Sequence, residues 1–188
     1  MKFMSGLVLV LVVFAPPSAR AQTPAPARGP DDARSQIEVF LAFGDEASGR
    51  LAVVLDALGT RHPTDVRIVF RHATVEGDAA AALPHYAALA AHRQGQFWAM
   101  AGLLFANQER HAREDVIGMA RQLGLDVARF TVDLDDVASE DVLRTDRERA
   151  AAIGITGPPA LLINDARYSG EATLQQIEAS LKASRRQP

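Results

Sequence analysis

The chain has 188 residues, 48% apolar and 23% charged, a balance that excludes fibrous, collagen-like and wholly disordered proteins. It contains no cysteine, which removes disulfide staples, thiolate metal sites and every cysteine nucleophile at once. Its 20 basic and 23 acidic residues are interspersed, so no basic stripe forms of the kind that neutralises nucleic-acid phosphates.

The first residues run Lys2, an apolar stretch from Leu7 to Ala15, the breaker Pro16-Pro17 and the small-x-small triplet Ala19-Arg20-Ala21. That order predicts a secretory signal peptide over residues 1–21, cleaved after Ala21, and hence a periplasmic or secreted protein. The apolar stretch falls well short of the ~20 residues that a spanning helix needs, so no membrane span is expected after cleavage. Cleavage would remove Lys2 and Arg20, leaving 18 basic residues, 17 of them arginine, against 23 acidic ones. Residues 22–35 begin QTPAPARGPDD, a Pro/Ala-rich arm with no periodic apolar face, expected to be loose or polyproline-like.

Residues 36–184 fit one domain. Gln36 to Phe43, apolar at nearly every position, predicts a buried central strand. Ala47 to Leu58 predicts a helix, with Leu51, Val54, Leu55 and Leu58 at helical spacing and Gly59 placed to end it. Asp65 to Arg71 predicts a second strand, parallel to the first by a right-handed crossover. Ala79 to Ala106 is an alanine-rich helical stretch broken near Gln94-Gly95, and Glu114 to Leu123 and Val127 to Leu134 add shorter helices. Together these make a helical insertion over about 79–137. Glu140 to Ile153 reads as a further helix, Ala160 to Asn164 as a strand and Arg167 to Ser169 as its hairpin return. Thr173 to Ser184 closes the chain as an amphipathic helix with Leu174, Ile177 and Leu181 inward. The order βαβ, helical insertion, ββα is of α/β class and is the plan of the thioredoxin fold.

Four segments resemble the DsbA-like thioredoxin family of exported bacterial proteins. They are Ile37-Glu38-Val39-Phe40, Val66 to His72 (VRIVFRH), Ala87 to Gln108 with its QG-x-FW-x-M and LF-x-x-Q patterns, and Gly154 to Asn164 (GITGPPALLIN). The resemblance implies a thioredoxin fold with a DsbA-type helical insertion. It also implies a site where the first strand meets the next helix, a place that the family fills with Cys-x-x-Cys and where the helix N-terminus stabilises a thiolate. This chain reads Gly44-Asp45-Glu46-Ala47 there. Aligned on Glu38, Gly44 takes the nucleophilic position and Ala47 the resolving one; a one-residue slip brings in Ser48. Neither register holds a thiol, so the family's disulfide exchange does not transfer and the chain is expected to be redox-inactive. Asp45 is a good N-cap and, with Glu46, fills the anion site from within. By resemblance the cis residue of the loop Gly157-Pro158-Pro159 is Pro159. Pro158 before it lacks the backbone N–H that the family offers to an extended substrate.

Other candidates are weighed on the residues alone. Ser48 offers an activated hydroxyl for an alternative reading as a glutathione-linked isomerase or transferase, although Asp45 and Glu46 would repel a thiolate. Glu38, an acid within an apolar strand, is either a base of raised pKa or, more plainly, a remnant pointing to a rim or a buried water. Of His62, His72, His85, His92 and His111 only His85 and His92 share a helix face, two turns apart, so neither a metal nor another cofactor is expected. Phe97-Trp98 reads as core of the insertion, and Asp133 to Asp136 as a solvated acidic turn. The expectation is an exported, catalytically silent thioredoxin-fold protein. Its surface around Gly44 to Ser48 and Gly157 to Pro159 binds a protein or peptide partner, or survives as scaffold.

Overall fold

The structure, a computed structural model, describes residues 24–184; the signal peptide expected over residues 1–21 lies outside them. In chain order the elements are β1 (Ala27–Arg28), β2 (Ser35–Leu41), α1 (Glu46–Arg61), β3 (Val66–His72), α2 (Ala79–His92), α3 (Phe97–Ala106), α4 (Arg113–Gln122), α5 (Val127–Leu134), α6 (Val137–Ala152), β4 (Ala160–Ile163), β5 (Ala166–Arg167) and α7 (Leu174–Ser184). The strands form one sheet in the order β1-β3-β2-β4-β5. β2 and β3 run parallel with Ile37 opposite Ile68 and Val39 opposite Phe70, while β4 pairs antiparallel to β2 with Leu161 opposite Val39.

Strand alternation sorts the two faces. Ile37, Val39 and Leu41 join Leu51, Leu55 and Leu58 of α1, Ile177 and Leu181 of α7, and Phe97, Met100 and Leu104 of α3 in the main core. Phe40 and Leu162 point the other way, where Ala150 and Ile153 at the end of α6 cover them. The helices α2 to α5 occupy the connection between β3 and α6, as a DsbA-type insertion in a thioredoxin fold. Among the described residues no helix is long and apolar enough to cross a membrane.

Three details differ from the sequence reading. The arm is not loose along its length, because Ala27 and Arg28 pair antiparallel with Val69 and Ile68 and extend the sheet. The guanidinium of Arg28 donates to Asp56 Oδ1 and to the Leu55 carbonyl and lies 4.5 Å over the Trp98 ring. Gly59 does not stop α1, which continues to Arg61. A Cβ there would stand 3.2 Å from Arg28 Nε, so Gly59 gives room to the arm. The acidic turn is not simply solvated either. Arg93 reaches Asp133 and Asp136, Arg113 pairs with Asp135, and Asp136 caps α6, which therefore starts at Val137.

Candidate functional site

The junction of β2 and α1 is built by its caps. Asp45 sits in extended conformation just before the helix, and its Oδ2 accepts both the Ser48 amide at 2.6 Å and the Ser48 hydroxyl at 2.7 Å. The same hydroxyl accepts the Ala42 amide at 3.3 Å. Ser48 is fully buried and lies on the stripe Ser48, Leu51, Leu55, Leu58 that faces the core; Gly44 and Glu46 are exposed and Ala47 half-buried. A hydroxyl so enclosed, with both its donor and its acceptor role filled, does not face a thiol bound at the surface. The glutathione-linked alternative therefore loses its polarising group.

Gln108, beyond α3, fixes the loop from the side: its Nε2 donates to the carbonyls of Phe43 and Asp45, each at 2.8 Å. Opposite stands the proline loop, in which the Pro158–Pro159 peptide bond is cis. Between loop and junction opens a groove of about 660 Å³. Ala80, Ala81, Pro84, Ala150 and Ile155 give it an apolar lining, Val75 stands exposed at its rim, and Thr74, Arg147 and His111 add polar points. Pro158 brings no donor, but the amides of Thr156 and Gly157, which also line the groove, donate to nothing among the described residues.

Beside the groove lies a pair that the sequence reading did not single out. His72 at the end of β3 and His85 in α2 meet Nδ1 to Nδ1 at 2.8 Å, so one ring donates and the other accepts. Both are fully buried. Burial first, and then the neighbouring His111, holds His85 down at about 3; burial, then His85, His92 and Arg71, keeps His72 well below its ordinary value. Both imidazoles are neutral near pH 7. Phe43 packs on His85 and Phe70 on His72, which explains the desolvation. The pair is thirteen positions apart in the chain, and its only sequence signal is a histidine at the end of a buried strand.

Glu38 is buried rather than at a rim, and arginines meet it. Its two oxygens accept from Arg71 Nε at 2.7 Å and Arg149 Nη2 at 3.0 Å, beneath α6. Arg71 also donates to Asp146, whose other oxygen accepts the His72 amide at 2.7 Å. Burial raises the Asp146 carboxyl, against the opposing pull of that amide and of Arg71. The acid thus ties the central strand to α6 and to the strand end that carries His72. Among the described residues no three histidine or acidic side chains come together as metal ligands would.

The model of the DSBA-like thioredoxin domain matches residues 46–182, and the chain belongs to that family. A thioredoxin-like oxidoreductase from Silicibacter pomeroyi superposes with a TM-score of 0.78 at 22% identity, over 87% of this chain and 94% of that one. The thiol-disulfide exchange protein alpha-DsbA2 from Wolbachia pipientis gives 0.77 at 18% identity, over 85% and 87%. These likenesses are of fold. In sequence, the Na(+)/H(+) antiporter NhaA of Herminiimonas arsenicoxydans is 32% identical over 167 residues, 85% of this chain and 25% of the antiporter. An NhaA from Salinispora tropica is 28% identical over 82% of the chain and 24% of its own length. The chain thus spans about a quarter of the length of the curated relatives it matches.

Proposed function

We propose that this is an exported, redox-inactive member of its family that holds an apolar, extended segment of a partner protein in the groove between the Asp45 junction and the proline loop. The observation that carries the reading is the open groove itself. A scaffold that had merely lost its cysteines has no need of an apolar furrow of about 660 Å³ with a valine exposed at its rim. Its alanine-rich walls leave room for large partner side chains, and the free amides of Thr156 and Gly157 suit the carbonyls of an extended backbone.

The caps also favour the shifted register. A thiolate held by a helix N-terminus belongs at the N-cap, which is Asp45, and its resolving partner belongs three residues on, at the buried Ser48. In this reading the Asp45 carboxylate accepts the hydrogen bonds that a thiolate would accept. With no cysteine, it fills the anion site permanently. Export rests on the expected signal peptide and on likeness in fold to a periplasmic thioredoxin-like protein from Salmonella enterica. Work beside another protein fits relatives in which the matched stretch is part of a longer antiporter.

The test is an array of unstructured ten-residue peptides of graded composition probed with the purified chain. Apolar peptides are retained over charged ones, and Ala81→Trp, which puts a large ring on the exposed groove wall, lowers retention at least tenfold. Equal retention of charged peptides, or an Ala81→Trp variant that binds as well as the native chain, overturns the reading.

A further inference from the structure

A second concavity, separate from the groove, lies between α1 and α3 on the main-core face of the sheet. Its volume is about 290 Å³, at the lower end of what small-molecule pockets enclose, ~300–1,000 Å³. Val39, Leu41 and Phe70 of the sheet form its floor, and the facing helices present Ala52, Ala101 and Phe105. Small residues on facing helices ordinarily let them close onto each other. Here they leave a hollow at the surface, where Gly102 is exposed and a Cβ built on it would meet no atom within 4 Å. The strand residues beneath it are fully buried, so the hollow is shallow, apolar and open to solvent on the side of Val53 and Gly102.

The mouth is different. Trp98 stands there with the Arg28 guanidinium over its ring, and the only other charged side chain in the lining is Asp56. A guanidinium carries five N–H donors. Arg28 spends one on Asp56 and one on the Leu55 carbonyl; its Nε is buried beside Gly59, so the second N–H of each terminal nitrogen is what remains for a ligand. The Asp56 side chain is 74% exposed, so its hold on Arg28 is the weak kind found in solvated pairs and yields to a better-shielded anion. An apolar slot with one under-used cation at its mouth complements a molecule with one apolar tail and one negative end.

We propose that this cleft binds a small single-tailed carboxylate, its tail between α1 and α3 and its carboxylate on Arg28 and the Trp98 edge of the mouth. The site owes nothing to the peptide groove, so each can fail without the other. It also explains why the arm is pinned into the sheet: β1 delivers Arg28 to the mouth.

Trp98 is the only tryptophan of the chain, so its emission reports occupancy directly. The purified chain is titrated with decanoate and with 1-decanol, both below their aggregation limits. Decanoate gives a saturable change in Trp98 emission, and decanol binds at least tenfold more weakly. Gly102→Leu fills the slot and abolishes the response; it replaces a glycine within a helix, so loss of folding is not the cause. Arg28→Met lowers decanoate affinity at least tenfold and leaves decanol unchanged, with folding checked by circular dichroism. No saturable response to decanoate, decanol binding as tightly as decanoate, or an unaffected Gly102→Leu variant overturns the proposal.

Discussion

Replacing Asp45 by alanine removes two hydrogen bonds that converge on one oxygen, and the structure sets the size of the loss. The N-cap bond to the Ser48 amide is worth about 1 kcal/mol, within the 0.5–2 kcal/mol seen for such caps. The Ser48 hydroxyl is then left as a donor without its acceptor in a site with no exposed surface, which adds ~1–2 kcal/mol. The expected destabilisation is about 2–3 kcal/mol, or roughly 5–10 °C in Tm for a domain of this size. Ser48→Ala leaves the cap bond to the backbone in place but takes the acceptor from the half-buried Ala42 amide, and costs less than Asp45→Ala, about 1–2 kcal/mol. Because the two side chains serve one bond, the double variant loses less than the sum of the single ones by about 1 kcal/mol. Equilibrium urea unfolding with an unchanged slope measures all three. A loss below 0.5 kcal/mol for Asp45→Ala, or strict additivity in the cycle, would show that the carboxylate does not occupy the helix start as described.

Two further expectations concern the buried polar groups. His72 and His85 are held neutral in the fold, while in the unfolded chain they take up protons below pH ~6.5. Their contribution is therefore complete above that pH and is lost as the pH falls toward 3, by as much as ~1.4 kcal/mol per pH unit for each ring. Asp146, whose carboxyl is raised by burial, binds its proton more readily in the fold than in the unfolded chain and so opposes the trend as the pH falls. Urea midpoints taken from pH 7.5 to 4.5 should fall steadily from about pH 6.5; a flat profile to pH 5 contradicts a buried neutral pair. Glu38→Ala leaves Arg71 and Arg149 without their shared carboxylate and should cost about 3 kcal/mol, with Glu38→Gln losing less. Equal loss in both variants, read by the same unfolding curves, would mean that the side chain acts through packing rather than charge.

The framework was legible because it rests on local pattern. The apolar run of β2, the spacing of Leu51, Leu55 and Leu58 and the break at Gln94-Gly95 each report a burial that the fold then uses. What stayed hidden was set by partners distant in sequence. A two-residue strand such as Ala27–Arg28 has no period, and the continuation of α1 through Gly59 depends on where Arg28 lies. The loop clamp by Gln108 and the two arginines on Glu38 likewise join groups 33 or more positions apart. The register of the junction was hidden as well. Ala47 and Ser48 stand four and three residues before Leu51, both on the leucine face, so spacing alone leaves open which of them is buried.

The pocket at the start of α1 keeps the shape of a thiol site without the sulfur. The direct measurement is insulin reduction by an Asp45→Cys/Ser48→Cys double variant, beside the native chain and a Gly44→Cys/Ala47→Cys variant. The native chain gives no turnover, the first variant clear turnover and the second much less. A folded Asp45→Cys/Ser48→Cys protein that stays as inert as the native chain would contradict this.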